Sequence, residues 1–127
     1  MQNIYITTPI YYVNDNPHIG HAYTSIVCDV LSRYYKLTKN TSVKFLTGTD
    51  EHGQKVENAA KINNKKPQEF VDLVSKNFKN LTEVLNISNS DFIRTSELRH
   101  KKTVEIVWNR LVERKQIYLG KYEGWYS

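Results

Sequence analysis

The sequence predicts an α/β layered fold built on a parallel sheet. Short runs of β-branched and aromatic residues alternate with longer stretches whose apolar residues recur at helical spacing, a pattern that requires right-handed crossovers between parallel strands. The histidine- and glycine-bearing motifs also fall at the carboxyl ends of the first two strands, where open α/β sheets bind ligands.

Ile4-Tyr5-Ile6-Thr7-Thr8 reads as the first strand, stopping at Pro9. After a polar turn, Ala22, Ile26, Val27, Val30, Leu31 and Tyr34 form one apolar stripe on a helix of about five turns. Val43 to Thr47 is the second strand, ending at Gly48, and a short helix follows with Val56, Ala59 and Ala60 inward. A longer helix, with Pro67 in its first turn, carries Phe70, Val71, Val74, Phe78, Leu81, Val84 and Leu85 on one face. Asp91 to Thr95 is the third strand. Ser96 is placed to cap a last helix, where Glu97 suits the positive end and Val104, Val107, Trp108, Leu111 and Val112 form the core face.

The 127 residues suit one domain or part of one, and 39% hydrophobic with 24% charged residues excludes a disordered or fibrous chain. Lys and Arg number 18 against 13 acids, but the net +5 is dispersed among acids and does not by itself mark a nucleic-acid binder. Cys28 is the single cysteine, which excludes a disulfide framework and a Cys-based zinc site within this chain. Met1-Gln2-Asn3-Ile4 opens no basic-then-apolar leader, and no apolar run approaches the roughly 18 residues of a membrane span. A cytoplasmic protein without a membrane partner is expected.

Asn16-Pro17 is a helix start, with Asn as cap and Pro in the first turn, which puts His18-Ile19-Gly20-His21 beside unpaired N–H groups and the positive helix end. His18 and His21 then share a face, and an anion is the natural ligand there. Gly20 costs about 1 kcal/mol against alanine in a helix, so the close approach of a flat ligand would explain it. Neutral imidazoles that donate to phosphate oxygens fit this field. Two polar residues decorating a helix end, or a metal held by His18, His21 and His52, are the other readings. Gly48-Thr49-Asp50-Glu51-His52-Gly53 is a glycine-bracketed turn after the second strand and fails the P-loop pattern, because Gln54 separates Gly53 from Lys55. Asp50 could hold a cationic group or cap the next helix, and His52 could face the first helix.

Together, Pro9-Ile10-Tyr11-Tyr12-Val13-Asn14, Pro17 to Tyr23 and Gly48 to Gly53 resemble the methionyl-tRNA synthetases of class I, and Tyr122-Glu123-Gly124-Trp125-Tyr126 is similar to the segment leading into that family's connective domain. The resemblance implies the first half of a split Rossmann-like nucleotide-binding domain over residues 1–127, stopping near a connective domain that is absent. It further implies activation of methionine by ATP with Mg²⁺ and transfer to tRNA(Met) by the full-length enzyme. By this likeness His18 and His21 are catalytic and, with Gly20, bind ATP, Gly20 admitting the adenine. Ile10, Tyr12 and Asp50 bind methionine, Asp50 through the substrate ammonium, with His52 a further possibility. The family's Lys-Met-Ser-Lys-Ser loop matches nothing here, so the chain alone is expected to be inactive without the missing C-terminal part of the enzyme. A small-molecule nucleotidyltransferase, which shares the His-x-Gly-His turn, and a non-catalytic nucleotide- or tRNA-binding remnant are the alternatives.

Overall fold

The computed structural model describes residues 3–38, 41–121 and 123–124. Its elements run β1 (Asn3–Thr7), β2 (Tyr11–Tyr12), α1 (Ile19–Thr38), β3 (Ser42–Asp50), α2 (Gln54–Ile62), α3 (Pro67–Val84), β4 (Asp91–Arg94) and α4 (Leu98–Glu113). They form two compact units, the first reaching Glu97 and the second beginning at Leu98. No helix among the described residues is long and apolar enough to cross a membrane.

β3 is the spine of the first unit, and every pairing to it is parallel. β1 runs from Asn3↔Ser42 to Thr7↔Leu46, β2 adds Tyr11↔Thr49 and Tyr12↔Asp50, and β4 runs from Leu46↔Asp91 to Thr49↔Arg94. Leu46 and Thr49 each pair on both sides, so β1 and β2 share one edge of β3 and β4 takes the other. The first strand is therefore interrupted at Pro9 rather than ended there. Proline has no N–H for the ladder, but Thr8 N–H still bonds Leu46 O at 3.1 Å, and Val13 N–H bonds Asp50 O at 3.3 Å. β3 likewise runs through Gly48, where it was expected to stop. A Cβ at that position would lie 2.0 Å from the Ile93 carbonyl oxygen, so the glycine serves the close passage of β4.

Because β1, β3 and β4 step across the sheet in one direction, right-handed crossovers place α1, α2 and α3 on the same face. Burial agrees: Phe45, Thr47 and Thr49 are buried on that face, while Tyr5 and Lys44 are exposed on the opposite one. The core beneath the helices joins Tyr11 and Val13 to Val56 and Ala60 of α2 and to Phe70, Val71, Val74 and Phe78 of α3. Most of the expected apolar face of α3 thus packs as read, but Val84 is 81% exposed where the helix ends, and Thr82 is buried instead.

α1 forms where its periodicity places it and faces the other way. Its buried residues are Ser25, Asp29 and Ser32, whereas Ile26, Val27, Val30, Leu31 and Tyr34 remain 41–59% exposed. Small serines let the helix sit close to the sheet, and Asp29 is satisfied within that interface. It accepts from Ser88 N–H at 2.7 Å and from Arg33 Nε at 2.7 Å, while Arg33 also donates to the Asn86 carbonyl at 2.6 Å. These bonds tie α1 to the segment that follows α3.

In the second unit no residue of α4 is buried, so the expected core face, with Val104, Val107 and Trp108 about half exposed, is open. Ser96, expected as the cap of this helix, belongs with Glu51 to the first unit and donates its hydroxyl to that carboxylate. Of the closing motif, Tyr122, Trp125 and Tyr126 lie outside the described residues.

Candidate active site

The tetrad begins the helix rather than lying inside its first turn. α1 opens at Ile19, and the His18 carbonyl receives the first helical bonds, from His21 N–H at 3.0 Å and Ala22 N–H at 3.3 Å. Asn16, expected as the cap, instead accepts at Oδ1 from Asn77 Nδ2 at 2.8 Å, fastening the approach segment to α3.

The two histidines cap the helix reciprocally. Gly20 N–H donates to His18 Nδ1 at 3.1 Å, and His18 N–H donates to His21 Nδ1 at 3.0 Å. The arrangement resembles a capping box with imidazoles in both roles, except that the His18 ring takes the N–H of Gly20 rather than that of the third helical residue. Each ring accepts at Nδ1 and so keeps its single proton on Nε2, which remains a free donor. The backbone N–H groups of residues 18, 20 and 21 are already used, so an anion arriving here meets imidazole N–H groups rather than the bare helix end the sequence suggested. The rings stack with centroids 3.8 Å apart. Gly20 has a structural reason within this arrangement, since a Cβ would stand 2.9 Å from His18 Cε1 and 3.1 Å from its Nδ1. A Cβ at this position would crowd the His18 ring where it folds back over the first turn.

His21 is held from below by the core. Its ring meets the Tyr11 ring edge-on at 4.8 Å and the Phe78 ring edge-on at 4.9 Å. Burial, then the repulsion that protonating both stacked rings would create, hold its pKa below the ordinary histidine value, which favours the neutral donor.

At the end of β3, alternation separates two carboxylates. Asp50 shares the open sheet face with its register partner Tyr12, and its carboxylate has no hydrogen-bond or ion-pair partner among the described residues. Glu51 points into the protein, where its side chain is fully buried. It accepts from Arg94 Nε at 2.7 Å, Arg94 Nη2 at 3.1 Å, Thr49 Oγ1 at 2.8 Å and the Ser96 hydroxyl, and its N–H donates to Thr95 Oγ1 at 2.9 Å. Burial opposes its charge, but these donors outweigh it and hold the carboxyl below its usual range. Arg94 also binds Asp72 of α3. The turn closes at Gly53, whose φ of 112° favours glycine and where a Cβ would stand 2.7 Å from the Tyr12 hydroxyl.

The structure thus brings together His18, Gly20 and His21 at one helix end, and Tyr12 and Asp50 on one sheet face. Consecutive strand residues link the two groups, Tyr11 supporting His21 and Tyr12 lying beside Asp50. Ile10 is 43% exposed in the break between β1 and β2. His52 does not turn toward α1; its Nε2 lies 3.4 Å from the Thr95 carbonyl oxygen. Among the described residues no group of three or more His, Cys, Asp or Glu is placed to hold a metal, and His52 is not gathered with His18 and His21. Cys28 points its thiol to the Thr7 carbonyl at 3.7 Å, and burial pushes its pKa up, which suits a structural residue. Sequence reasoning missed Tyr11, Phe78 and the Glu51–Arg94 pair. For Tyr11 the available signal was its alternation with Tyr12; the pair is 43 residues apart and leaves no local spacing to read.

Comparison with known proteins gives one consistent answer. Residues 4–127 match the family described as tRNA synthetases class I (M). The methionine–tRNA ligase of Rickettsia felis is 60% identical over 123 residues, covering 97% of this chain and 24% of the relative, and that of Listeria monocytogenes is 53% identical over 97% of this chain and 18% of its own length. The Mycobacterium tuberculosis methionyl-tRNA synthetase in complex with methionyl-adenylate superposes with a TM-score of 0.94 at 42% identity, over 100% of this chain and 25% of that one. The chain therefore spans between about a fifth and a quarter of the length of these relatives. A family match over nearly every residue, on a fold whose motifs converge at the strand ends, establishes that this chain belongs to the methionyl-type class I tRNA synthetases.

Proposed function

We propose that this chain supplies the first part of the active site of a methionine–tRNA ligase, covering residues 1–127 as the opening portion of its catalytic nucleotide-binding domain. The observation that carries the reading is the reciprocal histidine cap, which leaves two Nε2–H donors free at a helix N-terminus. In the activation step the methionine carboxylate attacks the α-phosphorus of ATP and pyrophosphate leaves. His18 and His21 donate to phosphate oxygens as charge builds on them, a preorganised stabilisation that needs no reorientation of the rings. Gly20 keeps the helix end low enough for the adenine to lie against it. Asp50, whose carboxylate has no partner among the described residues, holds the substrate ammonium, and Tyr12 and Ile10 offer an aromatic and an aliphatic surface to the thioether. His52, bonded toward Thr95, has at most a supporting part in this reading.

The described residues offer no carboxylate cluster for Mg²⁺. The ion belongs in this proposal with the ATP triphosphate as part of the nucleotide substrate. Transfer to tRNA(Met), a cytoplasmic setting and the lysine loop that neutralises the phosphates all belong to the full-length polypeptide. On this reading the 127 residues alone do not catalyse exchange. A small-molecule nucleotidyltransferase shares the helix-end turn, but its chemistry has no need of the Gly48 to Gly53 turn that presents Asp50.

The test is methionine-dependent exchange of labelled pyrophosphate into ATP, run with the chain alone and with the chain in place of the corresponding quarter of the Rickettsia felis ligase. The proposal expects no exchange in the first case and methionine-specific exchange in the second. Exchange driven by a different amino acid in the chimera would overturn the substrate assignment.

A further inference from the structure

We propose that Tyr11 and Phe78 are positioning residues for His21, holding its ring with Nδ1 turned to the His18 amide and Nε2–H aimed away from the helix end. The inference rests on the reading above that His21 donates to phosphate.

A histidine that works as a donor is commonly oriented by a carboxylate or a carbonyl on its second nitrogen. Neither does this here. Nδ1 accepts a backbone N–H at 3.0 Å, which fixes the tautomer but does not fix the ring plane on its own. The plane is set by three aromatic contacts: His18 stacked at 3.8 Å, Tyr11 at 4.8 Å with an interplanar angle of 65°, and Phe78 at 4.9 Å with an angle of 73°. Tyr11 and Phe78 stack on each other at 5.6 Å, so they act as one support.

The hydroxyl of Tyr11 extends that support to the backbone. It lies 2.8 Å from Ser25 Oγ and 3.2 Å from the His21 carbonyl oxygen. A carbonyl can only accept, so the single phenolic proton goes to His21, and Ser25 donates to the phenolic oxygen. Tyr11 thus grips His21 twice, at its ring and at its carbonyl, from a strand residue that is 6% exposed. Phe78 is 1% exposed and comes from α3, more than fifty residues away in sequence. The titratable groups that face His21 are His18 on its own helix end and the Tyr11 phenol from β2, while α3 presents uncharged Phe78. With no carboxylate against it, the ring is kept neutral by these walls. Opening them would hydrate it and let it take a second proton at Nδ1, which would end the bond from His18 N–H.

Two variants separate this role from packing. Tyr11→Phe keeps the ring and removes both hydroxyl bonds. Phe78→Leu keeps an apolar side chain and removes the ring edge. In the chimera with the Rickettsia felis ligase, kcat for pyrophosphate exchange is expected to fall about tenfold or more for Phe78→Leu, in line with the cost of a slightly misplaced catalytic group, with KM for methionine unchanged. The acid limb of the pH profile should move to higher pH. In the ¹⁵N-labelled 127-residue chain, the His21 ring is expected as the Nε2–H tautomer at neutral pH, with exchange broadening or a second tautomer in both variants. Unchanged kcat, pH profile and tautomer in both variants would overturn the proposal, and so would an Nδ1–H tautomer in the parent. If the chimera shows no exchange but the tautomer responds as expected, the functional reading fails and the positioning role stands.

Discussion

Gly20→Ala should remove activity while leaving stability almost untouched. The new Cβ would sit 2.9 Å from His18 Cε1 and 3.1 Å from its Nδ1, so the ring has to retreat by some tenths of an ångström. That retreat breaks the bond from Gly20 N–H, worth about 1 kcal/mol, and alanine returns up to about 1 kcal/mol of helix propensity. The two offset, and the folding free energy should stay within about 1 kcal/mol of the parent. Function has no such offset. Losing one preorganised donor costs roughly 10²–10³ in rate, and the 3.8 Å stack that also steadies His21 opens at the same time. Pyrophosphate exchange in the chimera, paired with calorimetry on the same sample, measures both quantities. Parent-like exchange with Gly20→Ala would refute the reasoning, and a loss appearing only as a raised KM for ATP would place the adenine, rather than the His18 ring, as the reason for glycine.

Four further outcomes follow from other parts of the structure. Arg94→Met leaves the fully buried Glu51 without its main partner and should cost roughly 3–5 kcal/mol in chemical denaturation; a cost under about 1 kcal/mol would show that the pair is not what holds the turn. Since Glu51 is held below its ordinary range when folded, its contribution is present above the unfolded carboxylate value of about 4 and is lost as pH falls through the lower folded value. Denaturation curves against pH should therefore lose part of their acid slope in Glu51→Gln. Asp50→Asn should raise KM for methionine strongly with little change in thermal stability, because the carboxylate has no partner to lose among the described residues; equal KM values would remove Asp50 from the ammonium site. The isolated chain should self-associate through the exposed stripe of α1 and the open edge of β1, and Val27→Lys with Val30→Glu should reduce this in sedimentation. A monodisperse parent monomer at high concentration would contradict it.

What could be read from the residues follows the range of each signal. Helical periodicity located α1 and α3, because it reports which side chains share a face. It does not report which face is covered, and α1 buries Ser25, Asp29 and Ser32 instead of its apolar stripe. The histidine pair was legible because its partners are three residues apart, but the direction of its capping was not, since Asn16-Pro17 is also a sound local start that α3 diverts through Asn77. β2 was invisible as two residues behind a proline. Its alternation nonetheless decides the site, sending Tyr11 to His21 and Tyr12 to Asp50. Glu51 and Arg94 meet only because β3 and β4 are neighbours, and no spacing in the chain encodes that contact.

On the function proposed above, His18 and His21 present two Nε2–H donors to the phosphates of ATP during methionine activation. The most direct measurement is methionine-dependent pyrophosphate exchange by the chimera carrying His18→Ala, His21→Ala or both. A loss of roughly 10²–10³ in kcat is expected for each single variant, with KM for methionine little changed and with a double variant far from additive, because the His21 ring holds the His18 N–H and the two rings stack. Exchange at parent rates in either single variant would contradict it.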